Sequence, residues 1–307
     1  MAQRKVINFL GFRVYAAAFS IITLVLALFF LFTKGLNLGL DFSGGTLVEV
    51  VYSQPQPLAQ IRETLAKGGF DRANVVNLGT EHDVMVRLPK TDEVHVGNRV
   101  LDLLQKNAQG EVKLRRVEFV GPQVGSELRE KGGLALLLAL IAVMLYVAFR
   151  FQYKFGIGAV LSLFHDVIIA LGMFAFFRWD FDLTTLAAVL AIVGYSINDT
   201  IVVFDRIREN FRKLRKTDVI ELMNVSITET LDRTLATSGI TLAVMFSLLF
   251  FGGEVLRGFS LALIIGTVIG TFSSIYVAAA IALWMGVRRE DLLPVVVQKE
   301  GADTSRP

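Results

Sequence analysis

The chain has 307 residues, 53% of them hydrophobic and 19% charged, with a formal net charge of +3 and a mean hydropathy of +0.56. That balance is more apolar than a water-soluble domain carries and points to a membrane protein. There is no cysteine, which excludes disulfides and thiolate metal sites, and His82, His95 and His165 show no metal-ligand spacing; the basic residues form no stripe with interleaved aromatics, so nucleic-acid binding has no support.

In chain order, Val14–Thr33 is the first apolar window of the ~20 residues needed to cross a bilayer. It follows Arg4, Lys5 and Arg13, as a signal peptide would, but it is longer than a signal's apolar region and no small-residue cleavage site follows, so it reads as a retained anchor. The polar segment from Lys34 to Lys131 comes next. Within it, Thr46–Ser53 alternates like a strand, Leu58–Gly68 has helical spacing, Asn74–Leu78 and Asp83–Leu88 read as short strands, Val94–Lys106 as a helix and Val112–Val120 as a last strand. This β-α-β-β-α-β order predicts a small ferredoxin-like α/β domain with one sheet face free for a partner.

Five further apolar windows follow, at Gly133–Phe149, Phe155–Phe177, Leu183–Phe204, Leu235–Phe251 and Phe259–Met285, with a polar linker at Asp205–Arg233. The expected architecture is an α-helical membrane protein with six transmembrane helices. Its division is 1–33 (N-terminus and first span), 34–131 (α/β domain), 132–204 (spans two to four), 205–233 (loop), 234–286 (spans five and six) and 287–307 (tail). Lys and Arg near the span ends concentrate on one side, at Arg4, Lys5, Arg13, Arg150, Lys154, the Arg206–Lys216 run, Arg288 and Arg289; short loops on the other side carry Arg178 and Arg257. The rich side is expected to be cytoplasmic, with both termini inside and 34–131 periplasmic.

Several polar residues interrupt the spans. Asp199, in GYSINDTIVVFDRIREN (Gly194–Asn210), falls about 8 Å inside the end of its span. A carboxylate at mid-membrane costs about 2.5–3.5 kcal/mol on insertion scales, and such residues face a bundle interior or a water-filled path. A carboxylate held between desolvation and a nearby cation can take up and release a proton; the alternative is a structural contact helped by Asn198 and Thr200. Arg233 opens the next span and is the natural counter-ion, with snorkelling to the membrane surface as its alternative. Thr234, Thr237, Ser238 and Thr241 follow it on one helix face, expected to meet other helices. His165 and Asp166, mid-span, either extend a proton path or bond structurally to a neighbouring helix, the structural reading being favoured. In the last span Gly258, Ala262, Gly266, Gly270, Ser274, Ala278, Ala282 and Gly286 recur every four residues, a pattern that lets helix backbones approach closely. Two glycine-rich junctions, LGLDFSGGT (Leu38–Thr46) and VGPQVGSEL (Val120–Leu128), bracket the domain. Neither has the Lys-Ser/Thr of a phosphate loop, so they read as turns and hinges at the membrane boundary.

LDFSGGT, VGPQVGSEL, the HDV of the third span, GYSINDTIVVFDRIREN and RTLATS (Arg233–Ser238) together resemble the SecF family, over nearly the whole chain. SecF is the smaller membrane subunit of the bacterial SecD–SecF accessory complex for protein export, and belongs with the resistance-nodulation-division transporters. The resemblance implies half of such a transporter, in the bacterial inner membrane, with SecD supplying the second half. It implies the SecYEG translocon, a translocating preprotein and YajC as further partners, and no cofactor. It also implies that the proton-motive force helps complete translocation on the periplasmic side, with Asp199 and Arg233 at the positions tied to proton passage. A structural scaffold without its own proton coupling, and half of a proton-driven small-molecule or lipid exporter, are the alternatives. An intramembrane aspartyl protease using Asp166 and Asp199 lacks the Gly-x-Gly-Asp context at both residues, so no enzymatic activity is expected.

Overall fold

The computed structural model describes residues 6–88, 96–108, 110–214 and 217–288. Arg4, Lys5, Arg215, Lys216 and Arg289 of the charge count, His95, the start of the Val94–Lys106 helix and tail residues 289–307 lie outside the described residues.

Among the described residues, six helices are long and apolar enough to cross a membrane: Leu10–Thr33, Pro122–Arg150, Tyr153–Phe177, Leu183–Lys213, Val219–Phe251 and Gly253–Trp284. The first is α1 (Arg13–Thr33) preceded by a 3₁₀ turn. After it come a short strand β1 (Asn37–Leu38) and a single helical turn α2 (Leu40–Ser43). The soluble domain then runs β2 (Gly45–Tyr52), α3 (Leu58–Lys67), β3 (Asn74–Asn77), β4 (Asp83–Leu88), α4 (Val96–Asn107), β5 (Val112–Val120). Its sheet is antiparallel with order β3-β4-β2-β5, the ferredoxin-like topology. Alternation sends Val48, Val50, Val84 and Val86 to one face, where they pack with Ile61 and Leu65 of α3 and Val100 and Leu104 of α4. The other face, carrying Leu47, Glu49, Met85 and Arg87, is covered by no helix layer among the described residues.

The membrane helices that follow are α5 (Pro122–Arg150), α6 (Tyr153–Phe177), α7 (Leu183–Lys213), α8 (Val219–Phe251) and α9 (Gly253–Phe272). A strand pair, β1 with β6 (Asp180–Phe181), runs parallel between α6 and α7. After α9 the helix widens into a π-turn at Ser273–Ala278 and ends as α10 (Ala279–Trp284). Helices α6, α7 and α9 form the interior, whereas α1, α5 and α8 are mostly exposed.

Two boundaries differ from the hydropathy reading. The 131/132 boundary lies inside α5, because Pro122 starts that helix after an extended Gly121 and the polar turns beyond it are helix-compatible, with Glu127 paired to Lys131 at 2.6 Å. The segment 205–233 is not a polar linker: α7 continues through it to Lys213 and α8 starts in it at Val219. Arg206 binds Glu209 at 2.5 Å and Glu229 of α8 at 2.7 Å, and Asn210 donates to Ser226 Oγ and Glu229 at 3.0 and 2.7 Å. Loss of hydropathy marks where lipid ends; these charges continue the helices beyond that level. The chain start is tied to the same end, with Leu10 N–H donating to Asn224 Oδ1 at 2.9 Å.

The four-residue stripe on α9 lies against α7. A methyl group on Gly258 would sit 2.4 Å from Thr185 Oγ1, on Gly266 2.2 Å from Ile192 Cγ1, and on Gly270 3.2 Å from Ser196 Cβ. Ser274 is buried, its hydroxyl donating to Thr271 O at 3.0 Å. Replacing Gly266 by Ala therefore overpacks the α7–α9 contact and is expected to cost about 1–3 kcal/mol. Gly133→Ala, with nothing within 4 Å of the added atom, is expected to be neutral or slightly stabilising. Melting of the purified chain in detergent checks both.

Candidate functional site

Helix α7 brings the polar groups of the membrane interior together. Its inward face carries Ser196, Asp199, Thr200 and Val203, all buried, and its outward face carries Ala187, Ala191, Gly194 and Asn198, all exposed. Asp199 is 3% exposed, and its Oδ2 is buried with no hydrogen-bond partner among the described residues. Thr200 spends its hydroxyl on Ser196 O at 3.3 Å and so belongs to the helix and not to the carboxylate.

One face-step away lies a second carboxylate with the opposite character. Asp166 of α6 is 0% exposed, and three helical segments supply its partners. His165 Nδ1 lies 2.9 Å from Oδ1, while Ser196 Oγ of α7 and Ser273 Oγ of the π-turn donate to Oδ2 at 2.5 and 2.6 Å. Together these bonds tie α6, α7 and the π-turn to one point. The His165 ring is buried, and its Nε2 has no partner among the described residues. A further relay, Tyr195 OH to Ser238 Oγ at 3.0 Å and Ser238 Oγ to Thr271 Oγ1 at 2.7 Å, ties α7 to α8 and α9.

The expected face of α8 divides. Thr234 and Ser238 are buried in the bundle, whereas Arg233 and Thr237 are exposed, Thr237 bonding back to Arg233 O at 3.0 Å. Among the described residues no ion pair joins Arg233 to Asp199. Thus Asp199, Thr200, His165 and Asp166 are gathered inside, while Asn198, Arg233 and Thr237 stand on the open faces of α7 and α8. Ser196 and Ser273 escaped the sequence reading, since a serine in an apolar helix carries no mark of what it bonds. The only local signal was the Ser273–Ser274 pair.

The comparisons agree on one family. The model described as "Protein export membrane protein SecD/SecF, C-terminal" matches residues 99–288, and that described as "SecD/SecF GG Motif" matches residues 29–56. The chain is 54% identical over 289 residues to the protein translocase subunit SecF of Pseudomonas aeruginosa, covering 94% of each chain. It is 50% identical to that of Vibrio alginolyticus, covering 99% of this chain and 97% of the relative. Its fold is similar to the crystal structure of SecDF, a translocon-associated membrane protein from Thermus thermophilus, with a TM-score of 0.83 and 39% identity. That match covers 94% of this chain and 40% of the longer SecDF chain.

The three-way bonding of Asp166 makes a specific demand on stability. Asp166→Ala strands two serine hydroxyls and an imidazole in the interior and is expected to cost about 3 kcal/mol, with Asp166→Asn losing less because one acceptor oxygen remains. Chemical unfolding of the purified chain in mild detergent measures the difference.

Proposed function

The chain belongs to the SecD/SecF family of protein-export membrane proteins, and from that membership we propose that it is the SecF half of a SecD–SecF complex in the bacterial inner membrane. In this reading both termini are cytoplasmic and the α/β domain is periplasmic, acting with the SecYEG translocon, with YajC as a further partner, on a preprotein emerging on the outer side. The proton-motive force drives it, through Asp199.

The observation that carries the reading is the state of Asp199. Its Oδ2 is buried with no hydrogen-bond partner among the described residues, in contrast to the carboxyl of Asp166, which three side chains bond. A structural carboxylate is bonded as Asp166 is; one that must change charge cannot be held so tightly. One charge crossing 100 mV releases about 2.3 kcal/mol, so a few protons suffice to move a domain.

The open faces support a second half. Asn198 and Arg233 are exposed on membrane helices, where lipid cannot bond them. A facing helix from SecD would cover them, and transporters of this construction carry their path between two halves. The bonded carboxyl of Asp166 is what the scaffold reading would require, and it leaves Asp199 unexplained.

Proton flux into vesicles holding this chain with SecD tests the proposal. Asp199→Asn is expected to abolish gradient-dependent flux and the associated stimulation of export while the complex still assembles. Wild-type flux and export at equal protein level would refute it. A SecD complex weakened by the same change, with flux per assembled complex intact, would favour the scaffold.

A further inference from the structure

The LDFSGG segment is not used by the proton reading, yet it makes an unusual contact. Asp41, in the single turn α2, accepts a hydrogen bond from the N–H of Leu183 at 3.0 Å. Leu183 is the first residue of α7, the helix that carries Asp199. The helix's own N-cap, Asp182, accepts from the N–H of Thr185 at 2.7 Å, so the first turn of α7 is capped twice, once from within and once from the leader of the α/β domain. Free N–H groups at a helix start need such acceptors.

The surrounding contacts make this junction a joint. Gly39 N–H donates to Phe181 O at 2.7 Å, extending the β1–β6 pair. Asp180, between α6 and α7, accepts from Asn37 Nδ2 at 2.5 Å and from Arg87 of strand β4 at 3.3 Å. Phe42 stacks on Phe181, with ring centroids 6.0 Å apart. The second glycine-rich junction closes on the first: a methyl group on Gly125 of α5 would lie 2.9 Å from Gly44 N and 3.3 Å from Phe42 O. Gly44 and Gly45 take φ of +68° and +132°, the backbone freedom that lets α2 turn sharply into β2. On the α8–α9 side the attachment is different. There a cleft of about 860 Å³ lies between Glu49, Arg115 and Arg116 of the bare sheet face and Phe250, Glu254 and Arg257 of the membrane part.

We infer that Asp41 is a positioning residue that fastens the α/β domain to the outer end of α7, so that displacement of α7 is delivered to the domain through α2 and tilts it over the cleft. The inference rests on the proposed role of α7 for the source of the displacement. The Asp41 cap itself is independent of that role.

The test uses this chain with SecD, measuring proton flux in vesicles and export stimulation in parallel. Asp41→Ala is expected to keep wild-type flux and lose about fivefold of export stimulation, the scale of one lost cap. Asp41→Asn, whose side-chain oxygen still accepts from the Leu183 N–H, is expected to restore export. Should Asp41→Ala fail to accumulate, Arg87→Ala reads the joint from the domain side and is expected to show the same split. Unchanged export in the alanine variant read, loss of flux together with export in it, or no rescue by asparagine overturns the inference. Failure of the proton reading looks different: the wild-type complex shows no flux that Asp199→Asn removes, while the export defect of Asp41→Ala and its rescue persist.

Discussion

A carboxylate inside an apolar helix bundle has to be bonded, paired or able to lose its charge, because lipid offers nothing in return for the water it has lost. Two such groups in this protein meet that constraint in opposite ways. Asp166 is satisfied from three segments at once, and the price is a helix that departs from α geometry. Ser273 reaches Asp166 where the last membrane helix widens into the Ser273–Ala278 π-turn, and such turns are found mostly as local irregularities at functional sites. Asp199 sits on the same buried face of α7, one turn beyond Ser196, and keeps a buried oxygen without a partner. The tightly bonded acid holds the helices in register so that the loosely held one has a defined position.

That register depends on small residues as much as on polar ones. Without a hydrophobic drive between helices in lipid, close approach and hydrogen bonds hold the bundle together. Gly258, Gly266 and Gly270 bring α9 close enough to α7 that side chains at Thr185, Ile192 and Ser196 fill the space a methyl group would need. Tyr195, Ser238 and Thr271 then bond across the remaining gap. The interior formed by α6, α7 and α9 is therefore well determined, while the exposed faces of α7 and α8 present Gly194, Asn198 and Arg233 to whatever lies beside them. The asymmetry suits one half of a two-part transporter better than a self-contained bundle.

The α/β domain is attached with the same asymmetry. It is bonded to α7 through Asp41, Asp180 and the β1–β6 pair, and it stands off from the α8–α9 end by a cleft lined with charges of both signs. A body held at one edge and open at the other pivots more readily than it translates, which gives the glycine-rich junctions a mechanical meaning beyond chain reversal.

Much of this was legible in the sequence. Asp199 was visible because a charge within an apolar run stands out locally, and the α9 stripe because its four-residue period follows the helix. The strands of the domain lay close to where alternation put them. The helix ends were less legible: hydropathy reports the thickness of the lipid slab, so the polar turns at Pro122 and beyond Phe204 looked like loops. The partners of Asp166 were not legible at all, since Ser196 and Ser273 lie 30 and 107 positions away, and neither was the Asp41 cap on Leu183, across 142 positions. The sequence by itself determined the six crossings, the inserted α/β domain and the presence of buried acids, because solvent acts on each window of residues separately. Only the tertiary structure decided which acid is bonded, which is left with an unpartnered oxygen and which helix the domain grips, because those outcomes depend on the rotation and depth of one helix against another, which no single window encodes.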